Sequence, residues 1–177
     1  MYLDSFFHRL RIAVLWAAAG FLFHGCVEKW EPKPLTVTQL IAGKEQKKWK
    51  FSSIEVIDEG TVEGPISAGE IYLPCERDNE YIFKNNEEKT FEFTSGSVKC
   101  TNTEPEVLLE HNWSYTTVNS TLEFPLPLAL FGGVYILPCN VKKLTETEMV
   151  LEIYFSKVFV EEIDASYRIT LRSDTSQ

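Results

Sequence analysis

Thiol and imidazole chemistry has few residues to draw on in this 177-residue chain: Cys26, Cys75, Cys100 and Cys139, and three histidines, of which only His111 lies beyond residue 24. A cysteine nucleophile needs a base within hydrogen-bond reach. Pairing Cys139 with His111 would require strands far apart in sequence to meet. Cys139 follows Leu137-Pro138 in an apolar segment, where burial as a small hydrophobe is the expected role. Any two of the 26 acidic residues could converge as a glycosidase pair, but no spacing selects two of them. Asp78-Asn79-Glu80 and Asn85-Asn86-Glu87-Glu88 are rich in oxygen ligands. Neither has the alternating acidic spacing followed by glycine that wraps calcium, so both read as turns. No catalytic residue, metal site or cofactor is therefore expected, and the chain is read as a non-enzyme.

Cys26 has a different chemistry. Arg9 and Arg11 precede an uncharged apolar stretch from Ile12 to Phe23, and Leu22-Phe23-His24-Gly25-Cys26 closes it with a small residue before a cysteine. The stretch is short for a membrane span, which needs about 20 apolar residues, and suits an export signal. The ending resembles a lipobox, so residues 1–25 are expected to be removed as a lipoprotein signal peptide and Cys26 to carry a lipid. An uncleaved anchor, or a plain signal peptide that leaves Cys26 as a thiol, is the alternative. Removing 25 residues takes Asp4, Arg9 and Arg11 with them and leaves 152 residues with 15 basic and 25 acidic side chains, a net charge of −10. That length is enough for one cored domain, and that charge repels nucleic acid. The acidic residues are scattered, as on a solvated surface.

These residues must be held by strands. Residues 26–43 read as lipid anchor and linker: Pro32 and Pro34 keep the chain extended, and Thr38 is expected to cap a helical turn, Gln39 to Ala42, that ends at Gly43. Residues 44–177 follow a period of two. Strands are expected at Trp49 to Ile57, around Tyr81-Ile82-Phe83 and Phe91-Glu92-Phe93 as a hairpin, and at Leu109 to Val118 and Thr121 to Phe124. Three more are expected at Val134 to Leu144, Glu148 to Phe159 and Ile163 to Arg172. Gly60, Gly64 and Pro65 break the chain after the first strand, Glu70 to Leu73 forms a second apolar piece, and Leu126 to Gly133 reads as a loop. Short strands without a crossover helix imply an all-β antiparallel meander, closing into a barrel of about eight strands.

In order along the chain, Lys48-Trp49-Lys50, the run from Cys75-Glu76-Arg77-Asp78-Asn79-Glu80 to Phe83, Gly96 to Cys100, Trp113, and Leu144 to Leu151 resemble the lipocalin-like lipoproteins of Bacteroidetes. The resemblance spans roughly Leu40 to Leu171. It implies a calycin-type barrel exposed outside the inner membrane, and no particular reaction. It also implies a disulfide between Cys75 and Cys100, since family members often pair a cysteine before Asp-Asn with one after the hairpin. Export permits such a bond; pairing of Cys139 with either partner is the alternative. Cys139 and the long apolar segment from Leu126 to Gly133 stand outside the family pattern.

Two functions are compatible with these features. In the first, a cell-envelope lipoprotein held at the outer membrane, on its periplasmic or outer face, carries a small apolar or amphipathic ligand in its barrel. The pocket would then lie near the mouth, lined by Trp113, Tyr115, Phe124, Leu128 and Phe131, with Phe131 as a flap. Strict alternation places Tyr81, Phe83, Phe91, Phe93, Trp113, Tyr115, Phe124, Phe155 and Tyr167 inside, and the barrel around Trp49 is expected to be solid. In the second, the filled barrel is a scaffold whose loops bind a glycan or an envelope protein.

Overall fold

The computed structural model describes residues 33–128, 133–155 and 165–174. Cys26, the stretch expected to be a signal peptide, Phe131 and the expected strand ends at 156–159 and 163–164 lie outside them. The chain divides into two compact units, Met1–Pro34 and Leu35–Gln177, and the second builds the sheet.

A short helix, α1 (Val37–Ala42), opens the domain. Its amino-terminal cap is Thr36, two residues before the expected Thr38. The Thr36 hydroxyl accepts from the Gln39 amide at 3.2 Å, while the Gln39 side chain accepts from the Thr36 amide at 2.9 Å. This reciprocal arrangement satisfies two amides that a helix start would otherwise leave unpaired. Gly43 ends the helix with φ of 69°.

The strands are β1 (Gln46–Asp58), β2 (Thr61–Ser67), β3 (Glu80–Lys84), β4 (Thr90–Thr94), β5 (Val107–Asn112), β6 (Ser114–Thr116), β7 (Thr121–Glu123), β8 (Pro125–Leu128), β9 (Gly133–Ile136), β10 (Cys139–Leu144), β11 (Glu148–Phe155) and β12 (Ala165–Arg172). One turn of helix, α2 (Ala68–Ile71), follows β2. The main sheet runs β5-β4-β3-β1-β12-β11-β10-β7-β6, with β2 added beside β1. The domain is nearly all β, and this antiparallel meander is nearly closed into a barrel. Closure comes from β5 and β6, which only Trp113 separates: β5 pairs with β4 and β6 pairs with β7, so one length of chain reaches both ends of the strand order.

The sheet has ten strands, more than the expected eight, for two local reasons. β2 forms where Gly60, Gly64 and Pro65 signalled only a break. Gly60 with φ of 83° makes the turn, and the Gly64-Pro65 peptide is cis, so both breakers are accommodated within a ribbon that pairs Val62 with Ile57 and Ile66 with Ile54. The expected single strand from Leu109 to Val118 is divided at Trp113, whose amide still donates to the Lys89 carbonyl at 2.8 Å. The apolar piece from Glu70 contributes the end of α2, and β10 starts only after Leu137-Pro138. The two described ends of the segment expected to be a loop are strand instead, with Leu126 paired to Tyr135 and Leu128 to Gly133 in a separate β8–β9 ribbon.

Alternation fills the interior as the sequence implies. Trp49, Phe83, Phe91, Leu122, Met149, Leu151, Phe155, Ile169 and Leu171 have no exposed surface. Lys47 points inward as well and is 2% exposed. Its ammonium donates to the Leu40 carbonyl at 3.0 Å and lies 4.7 Å from the centre of the Trp49 ring, while Trp49 Nε1 donates to the Ile41 carbonyl at 2.8 Å. Two inward residues of β1 thus hold the last turn of α1. Burial lowers the pKa of Lys47, with the charge of Glu146 acting against it.

Candidate functional site

The described residues nominated for a ligand pocket, Trp113, Tyr115, Phe124 and Leu128, are packed against the core. Phe124 is 1% exposed, and its ring centre lies 5.1 Å from those of both Phe83 and Phe91. Trp113 meets Phe83 edge-on at 5.7 Å, donates from Nε1 to the Lys84 carbonyl at 3.0 Å, and has the Lys89 ammonium 5.4 Å from its ring centre. Leu128 is buried on β8, and Tyr115 is half-buried against the same cluster. Between the barrel and the β8–β9 ribbon, Tyr81 donates its hydroxyl to the Pro127 carbonyl at 2.8 Å, and Tyr135 meets Phe155 edge-on at 5.4 Å. The faces and edges of these rings are therefore in contact with protein.

A concavity lies instead on the outer wall. It has a volume of about 310 Å³ and is lined by Lys48 and Lys50 of β1, Glu80 and Ile82 of β3, Thr94 of β4, and Asp78, Gly96, Ser97 and Glu106 of the adjoining loops. Lys48 and Lys50 flank the inward Trp49, so the period of two sends both ammonium groups outward. The Lys50↔Glu80 and Lys48↔Ile82 register sets them over β3. Glu80 lies 2.7 Å from the Lys48 ammonium and 4.0 Å from that of Lys50. Thr94 faces outward as its alternation requires, yet it is buried, because the loop after β4 folds across this part of the wall.

That loop is tied down three times. Cys75 and Cys100 form the disulfide, with Cα atoms 5.1 Å apart. Asp78 Oδ2 accepts from the Ser97 amide and hydroxyl, both at 2.7 Å, and from the Val98 amide at 3.0 Å. Ser95 closes the base, its amide donating to the Glu106 carbonyl at 3.0 Å and its hydroxyl to the Pro105 carbonyl at 2.9 Å. Burial pushes the Asp78 carboxyl up, but the Ser97 hydroxyl and the Val98 and Ser97 amides outweigh it and hold the pKa below the usual value. Asp78 Oδ1 is buried without a hydrogen-bond partner among the described residues. Asp78, expected only as part of a turn, is thus the organiser of the groove wall.

Gly96 makes this approach feasible. Its φ is +64°, and a Cβ there would lie 2.5 Å from the Asp78 carbonyl oxygen and 2.6 Å from its carboxyl carbon. Gly96→Ala should therefore cost about 1–3 kcal/mol, the usual range for a non-glycine residue held in the left-handed region. Urea unfolding checks this. A midpoint equal to that of the parent would show that the Asp78 loop yields freely.

Elsewhere the outer wall carries a charge network closed on itself. Arg168 reaches Glu55 and Glu152, each at 3.1 Å, and Lys142 reaches Glu152 at 2.8 Å. Cysteine-histidine chemistry is not assembled. Cys139 is buried, donates to the Leu137 carbonyl at 3.4 Å, and has its pKa pushed up to about 12 by burial first and by the charge of Glu123 second. His111 is exposed on β5 and donates from Nδ1 to the Asn112 carbonyl at 3.1 Å. Among the described residues, no group of three or more acidic, histidine or cysteine side chains is placed to hold a metal ion. The sequence reading did not find the groove, although Lys48 and Lys50 at a spacing of two, with Asp78 and Glu80 in the next strand's approach, were its visible signal. No protein-family model matches the chain, and no curated protein matches it in sequence.

Proposed function

We propose that this is an exported, lipid-anchored binding module in which the filled barrel is a scaffold and the outer groove takes a glycan. The observation that carries this reading is the groove itself: a concavity of about 310 Å³ whose wall is braced by a disulfide and by Asp78. Its lining mixes ammonium, carboxylate and hydroxyl groups. Sugar hydroxyls both donate and accept, so they match a surface that offers both roles. The packed rings of Phe124 and Trp113 favour the scaffold over an apolar carrier. A disulfide supports export, because such bonds persist in oxidising compartments, and the sequence around Cys26 supports lipid attachment and a membrane location.

Screening the protein against a panel of neutral and acidic oligosaccharides, followed by calorimetry, tests the reading. The double substitution Lys48→Ala, Lys50→Ala should weaken the best binder at least tenfold, a loss of about 1.4 kcal/mol. Both side chains point away from the core, so the urea midpoint should hardly move. Native mass spectrometry of protein from its own host provides the opposing result: a stoichiometric apolar compound, with no saccharide bound at millimolar concentration, would overturn the glycan reading in favour of the carrier.

A further inference from the structure

A second surface, distinct from the groove floor, lies at the end of the strand order. Trp113 donates its amide to Lys89, and the same register continues as Phe91↔His111 and Phe93↔Leu109. Hydrogen-bonded pairs alternate along an antiparallel ladder. Leu109 and His111 therefore exchange bonds with β4, while Glu110 and Asn112 turn their amides and carbonyls away from it. No strand pairs with β5 on that side among the described residues. His111 donates from Nδ1 to the Asn112 carbonyl, and among the described residues no strand is paired with β5 on the side to which the Glu110 backbone groups point.

Edge strands are ordinarily guarded by proline, by lysine, or by a covering loop. β5 contains neither proline nor lysine, and among the described residues no strand pairs with its far edge. Its six residues, Val-Leu-Leu-Glu-His-Asn, are exposed except for the half-buried Leu109. The irregularity at Phe93/Thr94 is on the side that already pairs with β4. Its one charge also stands unanswered: Glu92, opposite Glu110, is engaged by Lys84, whereas Glu110 forms no ion pair among the described residues.

We infer that the free edge of β5 accepts an extended segment of a partner protein as an added strand. The segment would alternate basic side chains, set beside Glu110, with apolar ones set beside Leu109. Backbone bonds to an open edge supply affinity, and alternate side chains supply choice. A second copy of this chain fits poorly, because the full sequence carries a net charge of −9 and each copy would bring its own Glu110 to the same edge.

The test uses the full chain purified in detergent and a fluorescent Lys-Val repeat peptide of six residues, read by anisotropy. N-methylation of one set of alternate peptide amides should weaken binding at least tenfold, and methylation of the other set should spare it. Glu110→Pro removes only an outward amide, a position where an edge strand tolerates proline; it should abolish binding while leaving the circular dichroism and the urea midpoint unchanged. Glu110→Lys should shift preference to a Glu-Val repeat. Binding that survives both methylation patterns, or that survives Glu110→Pro, would overturn the inference. So would dimerisation in sedimentation that Glu110→Pro abolishes, since the occupant would then be a second copy.

Discussion

Phe124→Ala is expected to destabilise the domain by about 3–5 kcal/mol, the range for truncating a fully packed phenylalanine. The ring is 1% exposed and meets Phe83 and Phe91, so its removal deletes contacts on two sides and leaves a void that strands on both sides cannot close. Urea unfolding followed by tryptophan fluorescence measures the loss directly. A ring lining an occupied ligand cavity would behave differently, because truncation would change ligand retention while costing little stability in the empty protein. A fall of less than about 1 kcal/mol would therefore contradict a filled barrel at this level. Phe124→Leu, which keeps most of the volume, should recover much of the loss.

Removal of the disulfide has the next largest effect. Cys75 and Cys100 are separated by 25 residues. Closing a loop of that size stabilises the fold by about 3 kcal/mol in the chain-entropy account. The double substitution Cys75→Ser, Cys100→Ser should lower the urea midpoint accordingly. It should also weaken any ligand held in the groove, because the bond joins the two loops that form the wall. The bonds from Ser97 and Val98 to Asp78 persist in the variant, so the barrel should retain its circular dichroism below the transition. If stability fell while groove binding stayed at the parent level, the disulfide would be serving the fold alone.

The hairpin of β3 and β4 was legible because Tyr81, Phe83, Phe91 and Phe93 alternate strictly with polar residues around a polar turn. The inward rings were legible for the same reason. β2 was not, since Gly60, Gly64 and Pro65 read as breakers, whereas the strand forms by pairing with β1. Thr94 shows a similar limit. Alternation correctly turned it outward, but its burial depends on a loop that returns across the wall.

By itself the sequence determined what depends on neighbours along the chain. It set the all-β class, the side of the sheet each alternating residue takes, and the outward lysines flanking Trp49. Tertiary structure decided what depends on partners distant in sequence. It packed Phe124 and Trp113 against Phe83, placed the β8–β9 ribbon against the core, set Asp78 against Gly96 and Ser97, closed the Cys75–Cys100 bond, and left the far edge of β5 without a paired strand among the described residues. Local periodicity fixes which way a side chain points, whereas a cavity or an open edge exists only once separate strands have chosen their neighbours.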